Sequence, residues 1–438
     1  MGRAADRKAQ REKQRLRRQP DRRMVSVIML FFCSAFLLIS FKEKIDLTGI
    51  ALAVIVPALI YAATMWLPRF FPADKLLLGI TNFLCALGVL ILYSTDVDAG
   101  TSRGFQQAMY YGLGIVAMLA CIMVVRYVRH WRVMIWPVMI GALLLIALPL
   151  AIGTEQNGAT NWINVGGTSL QPSEVVKLAL VLILSYFMSR RRIVPWLGFS
   201  LVCLGILMLQ KDLGTALIYY FTALILFYAN TGNLLLTGVG LVGAGGAAVL
   251  GYQMFAHVKK RVAIWQNPWL YYETSGYQIA QILMAIASGG VFGVGLGLGA
   301  PRVIPVYFTD CIFAVICEQF GIAFGILTLL MYAILIIRGV GIAVSARRGF
   351  YGLIAMGATA MIGIQTFVII GGVLKLIPLT GVTMPFVSYG GTSMISCMGL
   401  IGLLQGVDSL NRDDLSYDYE ISRTMAQQAH MQLADEEN

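Results

Sequence analysis

The segment Thr309-Asp310-Cys311-Ile312-Phe313-Ala314-Val315-Ile316-Cys317-Glu318 places a carboxylate where a long polar loop gives way to an apolar run. A charged side chain at the centre of a membrane-spanning helix costs about 3 kcal/mol, so membrane proteins usually keep such a residue only for a function. We therefore expect the chemistry of this protein to centre on Asp310.

Apolar residues dominate the rest of the chain. Its 438 residues are 58% hydrophobic and 13% charged, and the mean hydropathy is +0.75. Because about 20 apolar residues are needed to cross the hydrocarbon core, the sequence predicts an all-α polytopic membrane protein with about twelve spans. The predicted spans cover residues 24–40, 47–67, 76–93, 107–125, 133–152, 174–189, 194–210, 213–230, 234–256, 311–337, 351–374 and 392–409.

The first 23 residues carry ten Lys or Arg against three acidic residues, and no small-x-small cleavage site follows the first apolar run. This pattern indicates a retained basic cytoplasmic arm at 1–23 rather than a cleaved signal. An arm of this kind more often sets topology and binds lipid headgroups than nucleic acid. The net charge of +11 therefore reflects membrane topology, and we expect no nucleic-acid partner.

The positive-inside rule orients the predicted spans. Basic clusters at 126–132, 190–192 and 338–348 then face the cytoplasm, as do both termini. Asp310 and the two long loops, 153–173 and 257–309, lie outside, the second loop between the ninth and tenth spans. The cytoplasmic connections are short and lack a phosphate-binding loop, so we expect no nucleotide and a substrate that is already activated.

Cysteine and histidine provide little for a metal centre. All seven Cys lie in apolar runs without a CxxC motif, and the chain has three His. This pattern supports neither a disulfide framework nor a zinc site. An oxygen-ligated divalent cation, Mg²⁺ or Mn²⁺, brought by a phosphate-bearing substrate stays compatible with the sequence.

Two short motifs place charge beside predicted spans. In 171–177, Pro-Ser-Glu is typical of a helix start, and Glu174 and Lys177 share one helical face. Spacing alone favours an interfacial ion pair, whereas the position of Lys177 one turn inside a span favours a phosphate or pyrophosphate site. Asp212 follows a tight outer turn, where helix capping is the favoured local interpretation.

Two longer polar segments complete the outer side. Loop 257–309 combines a basic stretch, 257–261, with an aromatic cluster, 265–272, which predicts a lobe that walls a cleft above Asp310; an amphipathic surface loop is the alternative. The alternating glycines that follow lack the spacing of a nucleotide-binding fingerprint. Segment 378–393 carries two prolines and three glycines, which predict a re-entrant element, as in the broken helix of a transporter.

Taken together, these motifs resemble the SEDS family, the shape, elongation, division and sporulation proteins FtsW, RodA and SpoVE. The resemblance extends from about residue 76 to 409 with the motifs in family order and implies a ten-span core at 76–410. Two additional N-terminal helices then occupy 24–75. Residues 411–438 are expected to form an acidic cytoplasmic tail that is mostly disordered. The matching motifs are Gly158-Ala159 with Trp162-Ile163, Gln171-Pro172-Ser173-Glu174 with Lys177, Asp212-Leu213-Gly214-Thr215, Thr309-Asp310 with Ile312-Phe313-Ala314-Val315, and Pro385-Phe386-Val387-Ser388-Tyr389-Gly390-Gly391.

The resemblance implies a peptidoglycan glycosyltransferase in the bacterial cytoplasmic membrane. Such an enzyme polymerises lipid II into glycan strands outside the cell, with a class B penicillin-binding protein as partner. Asp310 occupies the position of the family's essential aspartate and is the expected catalytic residue. Asn161 and Gln319 depart from the family pattern, which affects the auxiliary contacts at those positions. The expected substrate-binding residues are Glu174, Lys177, Asp212, Arg103, Arg261, Trp162, Gln281 and Ser388.

Two other function classes fit the same sequence. A flippase for the lipid-linked precursor would also use intramembrane charge and broken helices, but it needs polar access from both sides of the membrane. A scaffold of the wall-synthesis complex would need no catalytic Asp310. The sequence leaves open whether the role is in elongation, division or sporulation.

Overall fold

The computed structural model describes residues 22–42, 45–156, 159–165 and 168–436. Nearly all of the predicted basic arm and Gly158 of the first family motif lie outside the described residues. Within them, the chain is an array of long apolar helices.

Eleven helices in the described part of the chain are long and apolar enough to cross a membrane. Ile193–Leu209 is also apolar but has 17 residues, so the predicted run 194–210 falls short of that length. All α-helices of the described residues, including those too short to span a membrane, are α1 Arg22–Ser40, α2 Leu47–Tyr61, α3 Lys75–Ala99, α4 Arg103–Tyr127, α5 Trp131–Ile152, α6 Pro172–Ser189, α7 Ile193–Leu209, α8 Leu213–Thr231, α9 Leu234–Met254, α10 Ala256–Gln266, α11 Tyr277–Gly289, α12 Ile312–Val344, α13 Gly349–Val373 and α14 Gly391–Glu436.

Polar caps and glycines set several helix ends. Asp74, Asp212 and Asn233 precede α3, α8 and α9, and each accepts a hydrogen bond from the backbone amide three residues later. These bonds satisfy amides that have no partner inside the helix. Gly100 and Gly232 end α3 and α8 with φ of 63° and 64°, a left-handed conformation that favours glycine.

Four helices form the centre of the molecule. The apolar windows of α3, α6, α13 and α14 are at least 78% buried inside the protein, whereas α9 has no buried residue. The polar residues carried by the four central helices therefore lie in the interior, where each needs a hydrogen-bonding partner.

The predicted loop 153–173 contains strands, which corrects the all-α prediction. It forms a three-stranded antiparallel sheet of β1 Thr154–Gln156, β2 Ala159–Val165 and β3 Thr168–Leu170. Asn161 and Ile163 are buried, while Asn164 is exposed, as strand alternation requires. Threonine, tryptophan, isoleucine and valine in this loop have high strand propensity, which explains the local fold.

Helix α12 is broken near its first third. Gly321 has φ of 86° and ψ of 167°, which interrupts the helical hydrogen bonding. The backbone groups freed there pair with the preceding glycine-rich segment, because Val294 N donates to Glu318 O at 2.9 Å and Ile322 N to Gly290 O at 2.9 Å. Non-helical backbone at membrane depth is stable when protein satisfies it in this way.

The alternating glycines serve this close pairing. A Cβ on Gly293 would lie 2.2 Å from the Gln319 carbonyl oxygen, and one on Gly299 would lie 2.7 Å from the Glu318 carboxylate. The backbone contact excludes a side chain at position 293, whereas a side chain at position 299 would require the Glu318 carboxylate to move. Gly293 and Gly299 therefore allow the glycine-rich segment to pack closely against α12.

Two predicted irregular regions contain helices. Loop 257–309 contains most of α10 and all of α11, joined by a short 3₁₀ turn. The C-terminal region 411–438, expected to be mostly disordered, continues α14 as far as Glu436.

Candidate active site

Asp310 lies in the connection directly before α12 and is half-buried. The loop between α13 and α14 passes beside its carboxylate, because a Cβ on Gly381 would lie 3.5 Å from Asp310 Oδ2. Gly381 has φ of 78°, so a larger residue is disfavoured there by its backbone conformation as well. The α13–α14 loop, residues 374–390, therefore forms one wall around Asp310.

Hydrogen bonds fasten this loop to the two residues before Asp310. Ser388 Oγ donates to the Thr309 carbonyl at 2.6 Å and accepts from Met384 N at 2.8 Å. Tyr389 N donates to the Phe308 carbonyl at 2.9 Å. The predicted site residue Ser388 thus positions the backbone next to the central carboxylate.

The electrostatic surroundings of Asp310 suit proton transfer. Burial raises the pKa of its carboxyl from 3.8 to about 6, while a hydrogen bond from the Thr309 hydroxyl and the charge of Arg261 act to lower it. Arg261 is fixed near this point, since its Nη1 donates to the Thr380 carbonyl at 3.0 Å. The pKa of Asp310 is close to neutrality, which favours a general base.

Arg103 lies beside the same segment. Its Nη1 donates to the Tyr307 hydroxyl at 3.0 Å, and its guanidinium lies 4.0 Å from the centre of the Phe308 ring. Asp96 supports the start of α4, because its carboxylate accepts from Gly104 N at 2.6 Å. The structure therefore brings Arg103 to the residues that lead into Asp310.

Glu174 and Lys177 form an ion pair at 2.6 Å inside the helix bundle, with side chains 3% and 0% exposed. Lys177 also donates to Gln365 Oε1 at 2.8 Å, and Ser396 donates to Glu174 at 2.8 Å. Gln365 in turn donates to the Thr383 carbonyl at 2.8 Å, so the pair supports the α13–α14 loop. Lys177 would have to leave both partners to reach a phosphate. Of the two interpretations of this motif, the geometry therefore matches the ion pair.

Asp212 joins the sheet to the helices. Its carboxylate caps α8 through Thr215, and it accepts from Asn161 Nδ2 at 2.7 Å and from Gln171 Nε2 at 3.2 Å. Asn161, which departs from the family pattern, contributes one of these bonds, and its own Oδ1 is buried without a protein partner. The capping interpretation of Asp212 is therefore correct.

Two predicted substrate-binding residues have contacts elsewhere. Trp162 is half-buried in β2, where its carbonyl accepts from the Thr154 hydroxyl at 3.4 Å. Gln281 on α11 donates to the Tyr272 hydroxyl at 3.1 Å. These contacts belong to the sheet and to segment 257–309 rather than to the group around Asp310.

Backbone strain is concentrated around the site. Lys211, Val306, Lys375 and Phe386 have positive φ, and they lie in the connections that carry Asp212, Asp310 and the α13–α14 loop. Positive φ is rare in branched and bulky residues and tends to occur at functional sites. The contacts around these residues must therefore offset the cost of the strained backbone.

Polar residues inside apolar spans were missed at the sequence level. Gln365 lies in α13 and bonds Lys177, while Gln107 lies in α4 and donates to the Ser388 carbonyl at 2.9 Å. Both are fully buried. An amide in a membrane span is costly without partners, which was the signal available in the sequence.

The described residues contain no group of three or more His, Cys, Asp or Glu that could hold a metal ion. The Asp212 oxygens already accept from protein donors. A cage made of protein ligands alone therefore does not fit these residues.

Comparison with known proteins assigns the family. The family model of FtsW, RodA and SpoVE, described as cell cycle protein, matches residues 74–413. The peptidoglycan glycosyltransferase RodA of Mycobacterium tuberculosis is 31% identical over 424 residues, 88% of this chain and 90% of that protein. Stage V sporulation protein E of Bacillus subtilis is 34% identical over 360 residues, 77% of this chain and 98% of that protein.

Solved structures agree with the sequence relatives. One, described as the structural coordination of polymerization and crosslinking by a peptidoglycan synthase complex, matches with a TM-score of 0.65 and 27% identity, covering 78% of this chain and 98% of that chain. The rod shape determining protein RodA of Thermus thermophilus matches with a TM-score of 0.57 and 27% identity over the same shares. This chain is a multi-pass membrane protein that belongs to the FtsW, RodA and SpoVE family, as its motifs predicted.

Proposed function

We propose that this protein polymerises lipid II into glycan strands at the outer face of the bacterial cytoplasmic membrane. The enzyme class is supported by the relatives, since the similar protein from Mycobacterium tuberculosis is named peptidoglycan glycosyltransferase RodA. The observation that carries the proposal is the half-buried Asp310 carboxyl with a pKa of about 6, which has the α13–α14 loop on one side and is influenced by the charge of Arg261.

In the proposed reaction, a hydroxyl of the acceptor sugar attacks the anomeric carbon of the donor. Asp310 takes the hydroxyl proton as the new carbon–oxygen bond forms, a contribution of about 10²- to 10⁴-fold. The bond from the anomeric carbon to the lipid diphosphate breaks, and the diphosphate leaves with the electron pair. A single displacement of this kind inverts the configuration of that carbon.

The leaving diphosphate gains negative charge as its bond breaks. Two cations support this step: the charge of Arg261 acts on the Asp310 carboxyl, and Arg103 bonds Tyr307 in the segment that leads to Asp310. Fixed positive groups lower the barrier by meeting charge that develops in the transition state. Arg261 is exposed, so it is accessible to a substrate from the outer side.

A divalent cation, Mg²⁺ or Mn²⁺, stays part of the proposal as an ion that arrives with the diphosphate. It would supply charge stabilisation at the leaving group when bound. No step assigned above to Asp310, Arg261 or Arg103 requires it.

We also propose a class B penicillin-binding protein as partner and cytoplasmic positions for both termini. The partner is supported by the match to a peptidoglycan synthase complex described as coordinating polymerization and crosslinking. The orientation is supported by the basic clusters in the short connections of the sequence.

A flippase is the second candidate, and the break of α12 at Gly321 favours it, because transporters use discontinuous helices. The two functions differ in a measurable way. A flippase moves lipid II between leaflets of a vesicle without forming glycan, whereas the proposed enzyme extends glycan strands.

The test is polymerisation of lipid II by the purified chain in nanodiscs, with and without the partner, at fixed Mg²⁺. Asp310→Asn should reduce glycan synthesis at least about 100-fold. Asp418→Asn is the matched control, because that exposed acid pairs with Arg347 on the predicted cytoplasmic side. Normal glycan synthesis by Asp310→Asn would refute the assignment.

A further inference from the structure

The helical hairpin α1–α2 precedes the family match, which begins at residue 74. It packs on α3 through aromatic contacts, with Phe32 and Phe83 ring centres 5.2 Å apart and those of Phe36 and Tyr93 5.8 Å apart. Gly49 allows the closest approach, because a Cβ there would lie 1.9 Å from the Tyr93 hydroxyl. The hairpin therefore packs closely against α3.

Polar bonds secure the outer end of this hairpin. The Tyr93 hydroxyl donates to Asp46 Oδ2 at 2.8 Å and lies 3.2 Å from Ser40 Oγ. Burial would raise the pKa of Asp46, but hydrogen bonds from the Thr48 amide and Tyr93 outweigh it and hold that pKa below its usual value. The connection between α1 and α2 is thus held against the end of α3.

From this connection, Lys42 reaches the glycine-rich segment before the active site. Its Nζ donates to the Gly297 carbonyl at 2.8 Å, and Gly297 N donates to Gln319 Oε1 at 3.4 Å. Ser94, next to Tyr93, donates to the same Gln319 oxygen at 3.0 Å. The hairpin, α3 and the first part of α12 therefore meet at Gly297.

A cavity of about 200 Å³ lies at this meeting point. Ser94, Gly297, Arg302 and Gln319 are among its lining residues. The segment that forms its wall continues directly to Asp310. The segment is attached to α12 by the glycine pairing and by the bond from Ala300 N to Glu318 Oε1 at 3.0 Å. Its far end is held by the bonds of Ser388 and Tyr389 to the Thr309 and Phe308 carbonyls. Lys42 adds an anchor from a different part of the chain, so it contributes to the order of the segment.

We propose that the N-terminal hairpin is an intramolecular brace of the active site and that Lys42 is its positioning residue. Through Gly297, Lys42 adds to the order of residues 297–310 and so, together with the Ser388 junction at Thr309, to the orientation of the Asp310 carboxyl. Lys42 touches no reacting atom in this role. The kinetic part of the inference rests on the proposed glycosyltransferase function, and the ordering part does not.

The full-length chain in nanodiscs tests the brace through three variants. Lys42→Met keeps most of the side-chain length but removes the charge and the donors, and Lys42→Arg retains both. Ser34→Ala is the control within the same hairpin, because the Ser34 hydroxyl bonds only the carbonyl of Phe31 in its own helix among the contacts described. Hydrogen exchange is measured over residues 294–310, and glycan synthesis is measured against lipid II concentration.

We expect exchange of the segment to become about tenfold faster in Lys42→Met, as loss of a bond from a charged donor implies. We expect kcat to fall about three- to tenfold with KM changed by under about twofold, since misorientation of a base affects the chemical step. Lys42→Arg should restore both, and Ser34→Ala should match the wild type.

Unchanged exchange in Lys42→Met would overturn the brace. Faster exchange with unchanged kcat would overturn the link from Lys42 to Asp310. Hydrogen exchange needs no catalysis, so it separates failure of the brace from failure of the glycosyltransferase proposal.

Discussion

The Ser388 hydroxyl donates to the Thr309 carbonyl at 2.6 Å, which ties the α13–α14 loop to the residue before Asp310. The two residues are 79 positions apart in the chain. Because Ser388 also accepts from Met384 N, one buried hydroxyl joins the loop to the start of α12. Asp310 therefore has its orientation set by a segment far away in sequence.

Ser388→Ala should weaken this junction. The change leaves the Thr309 carbonyl and the Met384 amide without their partner, at a cost of about 1–3 kcal/mol in the free energy of unfolding. The rate of glycan synthesis should fall by more than the loss of folded protein accounts for, because the backbone before Asp310 loses its support. Thermal unfolding and lipid II polymerisation measure the two effects.

The comparison variant for this change is Ser345→Ala, whose hydroxyl is exposed and bonds the Gly341 carbonyl of its own helix. Equal effects of the two alanine substitutions would contradict a role for the Ser388 junction.

The rate of glycan synthesis should depend on the ionisation of Asp310. A general base acts in its deprotonated form, so kcat/KM should rise with pH through an apparent pKa of about 6 and then level off. The measurement is the initial rate at low lipid II concentration across pH 4.5–8. A rate that stays flat through that range would argue against Asp310 as the base.

Arg261→Ala should move this pH dependence. The charge of Arg261 lowers the pKa of Asp310, so its removal raises that pKa further and shifts the acid limb of the profile to higher pH. Arg261→Lys keeps the charge and should stay closer to the wild type. A shift to lower pH in Arg261→Ala would be the contrary result.

Asp310→Asn should stabilise the protein at neutral pH. The pKa of the folded carboxyl is raised, so the unfolded chain ionises first and the stability of the wild type falls as pH rises from about 3.8 to about 6. Asparagine removes this loss, which amounts to about 1–3 kcal/mol above pH 6. Thermal unfolding at pH 4 and pH 7.5 should show a gain only at the higher pH; an equal gain at both would point to another cause.

Lys177→Met should be strongly destabilising, by about 3–5 kcal/mol, because it leaves the buried Glu174 charge without its partner. Adding Glu174→Gln should recover part of this loss, since it removes the unpaired charge. Chemical denaturation of the single and double variants measures the difference. A double variant less stable than Lys177→Met would show that the pair is not the dominant interaction.

Much of the architecture could be predicted from the sequence because membrane insertion depends on local composition. The apolar runs identified the long helices, and Asp212 before Leu213 indicated the cap that α8 uses. The strands of the 153–173 loop were not predicted, since short strands of mixed polarity depend on pairing partners. The break of α12 was likewise missed, because Gly321 becomes a break only when the glycine-rich segment pairs beside it.

In the candidate site, too, some features follow from local sequence and others from tertiary packing. Asp310 could be singled out as the candidate catalytic residue from its position at the border of a span and from the motif around it, since a charge there is costly wherever the chain folds. Which groups surround it depends on contacts between distant segments, such as Lys177 with Gln365 and Ser388 with Thr309. Spacing along one helix could not tell whether Lys177 faces a substrate or the interior, because that depends on which helices pack against it. The sequence alone thus determined the membrane-spanning helices and the central acid, whereas tertiary packing decided which cations remain accessible and which are buried in ion pairs.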